Sequence, residues 1–500
     1  MRPIEILLLL ANLLAFTSLA LPLPRAMQWM RYSAPAALLA AGAQILAEGP
    51  RWQVTPAYAM TGLVSLIWLR RVAVPVHAVH ARIHRLAKGS AVGLGVLAVV
   101  VSIALPNVFP VFRFPHPNGP YAIGTLAYHW IDPAHSEIFS AHPQDRRELM
   151  VQVWYPAAAH ASAEHAPYMQ DADAVTSAFA RIHNIPAFVF GHFKFVTTNA
   201  IPSAPVANAQ ADYPVLLFLE GATGFRQMNT YQVEELVSHG YIVAAIDQPG
   251  AAAAVVLPDG RQAPGMTLSQ VHASIDSSYM PDPGAPHLIG RVPTGVDLIR
   301  YFAKDVGFTL DQLATLNRAD PNGILTARLN LQRVGAFGVS LGGIVVAEAC
   351  HLEPRLKACL MMDAPMPLDV VASGLQQPGM WITRDAAGMR LERQRAGGWS
   401  EAEIQAHQSS MRAVYQSLPG AGYFVQVAGM FHSNFTDIPN WSPWTTPMRL
   451  SGPIDGQRAH DIVNAYSLAF FDRHLSDNAA GLLDGLETPY PEVRFESRRP

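Results

Sequence analysis

Long apolar runs dominate the first 112 residues of the chain. They cover residues 4–23, 32–47, 53–69 and 90–106. Because a membrane-spanning helix needs about 17–25 predominantly apolar residues, this pattern predicts three or four transmembrane helices, with four preferred. A cleaved signal peptide would account for the first run but not for the later ones. We therefore expect residues 1–112 to form an all-α transmembrane helical unit.

The basic residues between the runs predict how this unit is oriented. The connection between the third and fourth runs is the richest in arginine and lysine, and the connection between the first and second carries Arg25 and Arg31. The positive-inside rule places both connections in the cytoplasm. Four helices would then put the N-terminus and everything after residue 112 on the extracytoplasmic side of a multi-pass membrane protein.

After a proline-rich stretch, short apolar runs alternate with amphipathic segments. The runs predict buried strands at residues 214–219, 241–246, 334–337, 357–362, 380–383 and 423–427. Helical periodicity occurs between them, as at residues 293–304 and 456–474. Strands that alternate with helices predict a mostly parallel sheet covered on both faces. We therefore expect residues 113–500 to form one α/β catalytic domain.

The composition narrows the functional classes. Half of the residues, 50%, are hydrophobic and only 15% are charged, with a formal net charge of −3 and an isoelectric point near 6.7. A chain this close to neutral gives no reason to expect a nucleic-acid partner. Its two cysteines, Cys350 and Cys359, are too few for a disulfide framework. We expect them to be two small buried hydrophobic side chains.

A serine bracketed by glycines follows one of the predicted buried strands. The motif is Gly338-x-Ser340-x-Gly342, and an apolar helix is predicted directly after it. Glycines allow a strand to reverse sharply into a helix, and the turn presents the serine clear of the sheet. The N–H of Leu341, at the start of that helix, would point at an oxyanion. The motif thus predicts an α/β-hydrolase fold with Ser340 as nucleophile.

A serine hydroxyl needs an imidazole base and a carboxylate that orients this base. In the predicted fold the acid follows the serine along the chain, and the histidine follows the last strand. His432 has that position. Two acids compete for the third role, because Asp363 ends the strand after the elbow helix and Asp385 follows the next strand. Their positions alone leave the choice open.

Three stretches of the sequence resemble platelet-activating-factor acetylhydrolases of the lipoprotein-associated phospholipase type. These stretches are Gly119-Pro120-Tyr121 with Val153-Trp154-Tyr155-Pro156, then Ser238-His239-Gly240-Tyr241-Ile242-Val243-Ala244-Ala245, and Gly429-x-x-His432-x-x-Phe435-Thr436-Asp437. The similarity extends over about residues 119–475, so the membrane unit lies outside it.

The resemblance implies roles that position alone leaves open. Asp363 is implied as the acid, because Met362-Asp363-Ala364-Pro365 matches the turn that carries the acid in the family. The N–H of Ala222 is implied as the second oxyanion donor, with Glu220 where the family has histidine, which would bring a carboxylate near the site. No metal or organic cofactor is required. The predicted catalytic residues are Ser340, Asp363, His432, Leu341 and Ala222.

Three functions fit these residues. The membrane unit and the resemblance favour a membrane-anchored serine hydrolase that cleaves lipid esters with a short acyl chain, as a phospholipase A2-type enzyme. The same chemistry would serve a broad carboxylesterase or a polyester hydrolase similar to dienelactone hydrolases and cutinases. A catalytically idle hydrolase fold that acts as a membrane receptor or scaffold belongs to another class. Three retained side chains in the right order speak against this last function.

Overall fold

Two compact units make up the chain in a computed structural model. The first comprises Met1–Phe112 with Trp441–Trp444, and the second comprises Arg113–Asn440 with Thr445–Pro500. The structure describes residues 1–21, 24–73, 83–158, 164–280, 295–476, 481–485 and 489–498.

The first unit is helical, as the apolar runs predict. Its helices are α1 Pro3–Ala20, α2 Ser33–Ala47, α3 Thr55–Ala73 and α4 Ile83–Val108, with 3-10 turns at Arg25–Tyr32 and Trp52–Val54. Large apolar side chains on these helices are exposed, among them Leu7, Leu39, Leu46 and Leu94. A surface of this kind is typical of a protein that meets lipid or another apolar partner.

Arg51 makes buried polar contacts inside this unit. It lies between α2 and α3, and its buried guanidinium donates two hydrogen bonds of 2.7 Å to the two carboxylate oxygens of Glu5 in α1. A third hydrogen bond, of 2.8 Å, reaches the carbonyl oxygen of Phe109 just after α4. The start of α1, the α2–α3 connection and the end of α4 are therefore joined at one end of the unit.

Within the described ranges, one helix is long and apolar enough to cross a membrane, and this helix is α1. The apolar parts of α2 and α4, Ser33–Ala47 and Val92–Val108, are shorter. An N-terminal signal sequence would meet the same criterion as α1. The structure thus has one candidate membrane helix, and the four-helix topology stays a prediction. Arg82, one of the basic residues behind the predicted orientation, lies outside the described residues.

A ten-stranded sheet forms the centre of the second unit. The strands of the chain are β1 Ala122–Ser136, β2 Arg146–Ala157, β3 Ala200–Pro202, β4 Tyr213–Leu219, β5 Ile242–Asp247, β6 Ala254–Val256, β7 Gln262–Pro264, β8 Leu329–Val339, β9 Leu356–Met362, β10 Gly379–Thr383, β11 Gly422–Val427 and β12 Val493–Arg498. The spatial order is β12-β11-β10-β9-β8-β4-β5-β2-β1-β3, while β6 and β7 pair separately. Strands β11 to β5 in this order are parallel, and β12 and β2 flank them antiparallel. The predicted mostly parallel sheet is confirmed.

Helices cover both faces of this sheet. The helices that follow residue 113 are α5 Ala172–Ile182, α6 Thr230–Ser238, α7 Leu268–Tyr279, α8 Val296–Arg318, α9 Leu341–Leu352, α10 Leu368–Ser373, α11 Ala386–Ala396, α12 Glu401–Ser417, α13 Ile438–Trp441 and α14 Gly456–Leu475. Alternate residues of β4 belong to different hydrophobic clusters: Leu217 packs with α8 and α9, and Phe218 packs with α6 and α14. Because both faces are buried, the strand is apolar throughout.

The two cysteines are a correction to the sequence analysis. Cys350 and Cys359 are buried, as expected, but they form a disulfide instead of remaining two separate thiols. Cys350 lies in the last turn of α9, which packs on β9, and Cys359 lies within β9, with a Cα–Cα distance of 6.5 Å. The two cysteines are only nine positions apart in the sequence, but they can meet because α9 turns back directly into β9. The number of cysteines in the sequence does not show that these two lie close together in the fold.

Candidate active site

Ser340 occupies a strained turn between β8 and α9. Its backbone dihedral angles are φ 57° and ψ −124°, a region that residues other than glycine rarely adopt. The Ser340 N–H donates a hydrogen bond of 3.0 Å to the carbonyl oxygen of Met362, at the end of β9. The turn is therefore fixed to the strand that leads into Asp363, and its strain agrees with the nucleophile elbow predicted from the motif.

The glycines around Ser340 are required by close backbone approaches. A Cβ at Gly342 would lie 2.1 Å from the carbonyl oxygen of Leu219, at the end of β4. A Cβ at Gly338 would lie 2.5 Å from backbone atoms of Gly342. Both distances are far below van der Waals contact, and the obstructing atoms belong to the main chain. The start of α9 can therefore approach β4 only where side chains are absent.

Asp363 and His432 meet where β9 and β11 end. Asp363 directly follows β9, and His432 begins a 3-10 turn, His432–Phe435, after β11. The Nδ1–H of His432 donates a hydrogen bond of 2.5 Å to Oδ2 of Asp363. This bond fixes the tautomer of the imidazole and leaves Nε2 as its free basic nitrogen.

The environment of Asp363 keeps it ionised. Its side chain is fully buried, Oδ1 accepts a hydrogen bond of 3.1 Å from the Thr383 hydroxyl, and Oδ2 lies 2.8 Å from Nη2 of Arg384. Burial opposes ionisation, but the Arg384 guanidinium and the hydrogen bond from His432 outweigh it. Together they hold the pKa of the Asp363 carboxyl well below its usual range.

Asp385 has a different role. It caps the N-terminus of α11, where its Oδ1 accepts a hydrogen bond of 2.7 Å from the N–H of Gly388. An aspartate at an N-cap satisfies one of the amide groups that the first turn of a helix leaves unpaired. Of the two acids that the sequence leaves open, Asp363 contacts His432 and Asp385 is engaged by a helix.

Ser340 and His432 line one cavity of about 250 Å³ at the carboxyl ends of the central strands. Its apolar lining includes Phe179, Met228 and Ile438, and its polar lining includes His183, Thr223 and Glu392. Among the described residues no hydrogen bond joins the Ser340 hydroxyl to the imidazole. Catalytic hydrogen bonds are often long without substrate and tighten when it binds.

The two expected oxyanion donors lie close to Ser340. Ala222 lines the same cavity, and Leu341 is the first residue of α9. In the part of the chain that the structure describes, no carbonyl accepts a hydrogen bond from either N–H. Gly221, next to Ala222, approaches so closely that a Cβ there would lie 3.2 Å from Cβ of Ser340. This loop therefore runs directly beside the serine.

Glu220 differs from what its position in the sequence implies. Its carboxyl group is buried, and neither oxygen has a hydrogen-bond partner among the described residues. Burial, together with the negative charge of Asp247, raises the pKa of Glu220 well above its usual range. Ionisation of Glu220 is therefore disfavoured at its position two residues before Ala222.

Sequence reasoning missed the residues that surround Asp363 and His432. Arg384 pairs with both Asp363 and Glu392, and Glu392 accepts the backbone N–H of His432 at 3.1 Å. The Trp399 ring lies 5.7 Å from the His432 ring. The segment after β10 is polar and helical in its pattern, and periodicity gives no sign that it turns inward. An arginine immediately after a buried strand was the available signal.

These features define the class of the molecule. A mostly parallel sheet, a strained serine between strand and helix, and an acid–histidine pair at the same edge are together the arrangement of an α/β-hydrolase. No group of three or more histidine, cysteine or acidic side chains suited to a metal ion occurs within the described ranges.

The chain is similar to named hydrolases. Residues 107–263 match the family described as platelet-activating factor acetylhydrolase, isoform II. The platelet-activating factor acetylhydrolase of Gallus gallus is 21% identical over 75% of this chain and 88% of its own length. That of Canis lupus familiaris is 25% identical over 58% of this chain and 63% of its own.

A solved structure gives the same class. The ferulic acid esterase from Streptomyces cinnamoneus superposes with a TM-score of 0.58 and 26% identity, and the match spans 77% of this chain and 99% of that one. The resemblance to platelet-activating-factor acetylhydrolases inferred from the sequence is confirmed, as is the α/β-hydrolase fold. The chain is a serine carboxylic ester hydrolase.

Proposed function

We propose that the chain hydrolyses carboxylic esters through an acyl-enzyme on Ser340, with His432 as general base and Asp363 as orienting acid. His432 Nε2 takes the hydroxyl proton as Oγ attacks the ester carbonyl, and then gives this proton to the leaving alcohol. The N–H groups of Leu341 and Ala222 stabilise the oxyanion. Water, activated by the same imidazole, releases the acyl group.

The hydrogen bond between Asp363 and His432 carries this proposal. It joins a buried carboxylate to a partly exposed imidazole 69 positions away, at a cavity that Ser340 also lines. If this pair only stabilised the fold, it would have no need of a cavity beside it. A buried carboxylate behind a histidine that faces a cavity is typical of a catalytic pair.

We propose a short acyl group as the preferred substrate feature. The cavity of about 250 Å³ lies below the range of about 300–1,000 Å³ that drug-sized ligands need. Phe179 and Met228 supply the apolar walls that an alkyl chain contacts. The named relatives are acetylhydrolases of platelet-activating factor, and a lipid ester with a short acyl chain fits these walls.

We also propose that the chain is anchored in a membrane by the helices of the first unit, with the hydrolase domain outside the cytoplasm. Arg51 joins the start of α1 to the end of α4, which favours an even number of crossings. The disulfide between Cys350 and Cys359 agrees with an oxidising compartment, where such bonds persist. Attaching a reporter that is active only in the cytoplasm to the C-terminus tests the orientation, and a signal from this reporter would contradict it.

A broad carboxylesterase is the second candidate. The ferulic acid esterase matches over nearly all of its own length, and its name gives an ester of ferulic acid as its substrate. The two candidates differ in the leaving group and the acyl group, but not in the chemistry of Ser340.

A substrate panel separates these functions. The full chain, in detergent, is given a short-chain phospholipid, p-nitrophenyl acetate, butyrate and octanoate, and methyl ferulate. Ser340→Ala is the inactive variant, and Ser409→Ala, at an exposed position on α12, is the matched control. We expect hydrolysis that falls from acetate to octanoate and disappears only in Ser340→Ala. A preference for methyl ferulate over the phospholipid would favour the second candidate.

Labelling by a fluorophosphonate addresses the idle-fold alternative. The probe reacts covalently with an activated serine, so we expect labelling of the wild type and of Ser409→Ala but not of Ser340→Ala. Folded wild-type protein that takes up no label would contradict both enzyme functions and leave the receptor or scaffold function.

A further inference from the structure

A buried arginine lies against the proposed catalytic acid. Arg384 directly follows β10, and its side chain is fully buried. Its Nη2 lies 2.8 Å from Oδ2 of Asp363, the same oxygen that accepts the hydrogen bond from His432. Its Nη1 donates a short hydrogen bond to Oε2 of Glu392 in α11. One guanidinium therefore bridges two carboxylates.

Both carboxylates hold His432. Asp363 accepts the ring Nδ1–H at 2.5 Å, and Glu392 accepts the backbone N–H at 3.1 Å. Since Arg384 fixes both acceptors, it sets the position of the imidazole and of the main chain that carries it. A buried guanidinium with a planar fork suits this bridging role better than the point charge of a lysine would.

The ring of Trp399 packs near both Arg384 and His432. The guanidinium carbon of Arg384 lies 4.9 Å from the centre of the Trp399 ring, and the His432 ring lies 5.7 Å from the same tryptophan. The ring therefore lies against the buried guanidinium and contacts the imidazole edge to face. A charge excluded from water in this way acts on its neighbours with little screening.

Titratable groups from five elements lie near His432. Asp363, after β9, contacts its ring, Glu392, from α11, accepts its backbone N–H, and Arg384, after β10, pairs with both of these carboxylates. His407, from α12, interacts with His432 electrostatically, and His183, at the end of α5, lines the same cavity. Burial lowers the pKa of His407 to about 4, and burial also lowers the pKa of His183. Both histidines are therefore neutral near pH 7. The charges that act on His432 are two carboxylates and one guanidinium.

We propose that Arg384 is a positioning residue of the hydrolase, which fixes His432 through Asp363 and Glu392 and whose positive charge opposes protonation of the imidazole. This inference rests on the proposed function, because it concerns the base of that reaction. Without the arginine, two carboxylates would face the histidine uncompensated. They would stabilise its cation and remove the free base at low pH.

The test measures the pH dependence of kcat/KM with p-nitrophenyl acetate in Arg384→Met, Arg384→Lys and Glu392→Gln. A charged neighbour within about 4–6 Å shifts the pKa of an ionisable group by about 1–3 units, and a neighbouring cation disfavours the protonated imidazole. We expect the acid limb of Arg384→Met to move about one pH unit upward, because a cation is lost. Arg384→Lys retains the charge and should keep the limb in place. Both variants should lose about 10- to 100-fold in kcat with little change in KM, because the base is misplaced.

Glu392→Gln should shift the acid limb of kcat/KM in the direction opposite to Arg384→Met. It removes a carboxylate at a partly exposed position and keeps an oxygen that can accept the His432 N–H. We expect its acid limb to move downward by a few tenths of a pH unit. If Arg384→Met does not fold, this variant and Arg384→Lys decide the question.

The outcomes separate the two proposals. A wild type with no hydrolysis that depends on Ser340 would contradict the proposed function itself. An active wild type whose acid limb stays unmoved in folded Arg384→Met, or in Glu392→Gln when the first variant does not fold, would overturn the role of Arg384. Losses of activity that only follow the folded fraction would likewise mean that the arginine is merely structural.

Discussion

Replacing Asp363 by asparagine should nearly abolish ester hydrolysis, whereas the same change at Asp385 should leave it nearly intact. Both substitutions exchange a carboxylate for an amide of the same size. Asp363 accepts the Nδ1–H of His432 at 2.5 Å, and Asp385 accepts only a helix N–H at 2.7 Å. The pair therefore tests the acid assignment with matched chemistry.

These contacts determine how large the losses of activity and stability should be. An asparagine at 363 can donate to Nδ1 and hold the wrong tautomer, and in a serine protease of the same chemistry this change lowers kcat by about 10⁴-fold. It also leaves the Arg384 charge with one partner less, so we expect a loss of about 3 kcal/mol in the free energy of unfolding. At 385 only part of an N-cap is affected, and the loss should be about 1 kcal/mol or less.

The assay is kcat/KM for p-nitrophenyl acetate, normalised to the folded fraction from thermal unfolding followed by circular dichroism. Ser340→Ala sets the background rate. If Asp385→Asn lost three or more orders of magnitude while Asp363→Asn retained wild-type activity, the acid assignment and the geometry behind it would be refuted.

Three further predictions address the elbow, a buried histidine and a buried ion pair. Gly342→Ala should reduce kcat by about 100-fold or more, because a Cβ 2.1 Å from the carbonyl oxygen of Leu219 would displace Ser340 by about 1 Å. Gly420→Ala is the control, because Gly420 has open space around it, and this variant should match the wild type in the same assay. Burial lowers the pKa of His460 from 6.5 to about 4, so the histidine is neutral in the fold and the unfolded chain binds the extra proton. Stability should therefore fall by about 3 kcal/mol as the pH drops from 6.5 to 4, and His460→Gln should flatten this slope in urea unfolding. Arg147→Met leaves buried Asp305 without its 2.7 Å partner and should lower the free energy of unfolding by about 3–5 kcal/mol, with kcat/KM of the folded protein unchanged.

Apolar patterning was enough to find the central strands of the second unit. Strands β4, β9 and β11 lie within a residue or two of their predicted positions, because strands buried on both faces are continuous apolar runs. Strands β1 and β12 escaped the pattern. They lie toward the edges of the sheet, where polar residues such as Arg494 are tolerated and alternation is weak.

The site was predictable where chemistry is local and unpredictable where it depends on tertiary contact. The Gly338–Gly342 motif marks its own turn, since the backbone constraint lies inside the motif. The choice between Asp363 and Asp385 needs the positions of β9 and β10 relative to His432, and the local sequence does not contain them. Arg384 is the neighbour of Asp385 in the sequence, yet in the structure its guanidinium bridges Asp363 and Glu392.

The cystine linking α9 to β9 bears on how this protein must be made. It ties the far end of α9, the helix that follows Ser340, to β9, the strand that leads into Asp363. Both sulfurs are enclosed, with 1% of Cys350 and 0% of Cys359 exposed. Oxidants and reductants cannot reach them without opening the core. Whether the bond exists is thus decided while the chain is being synthesised and folded, and the choice of expression host, not of purification buffer, sets the form that is studied.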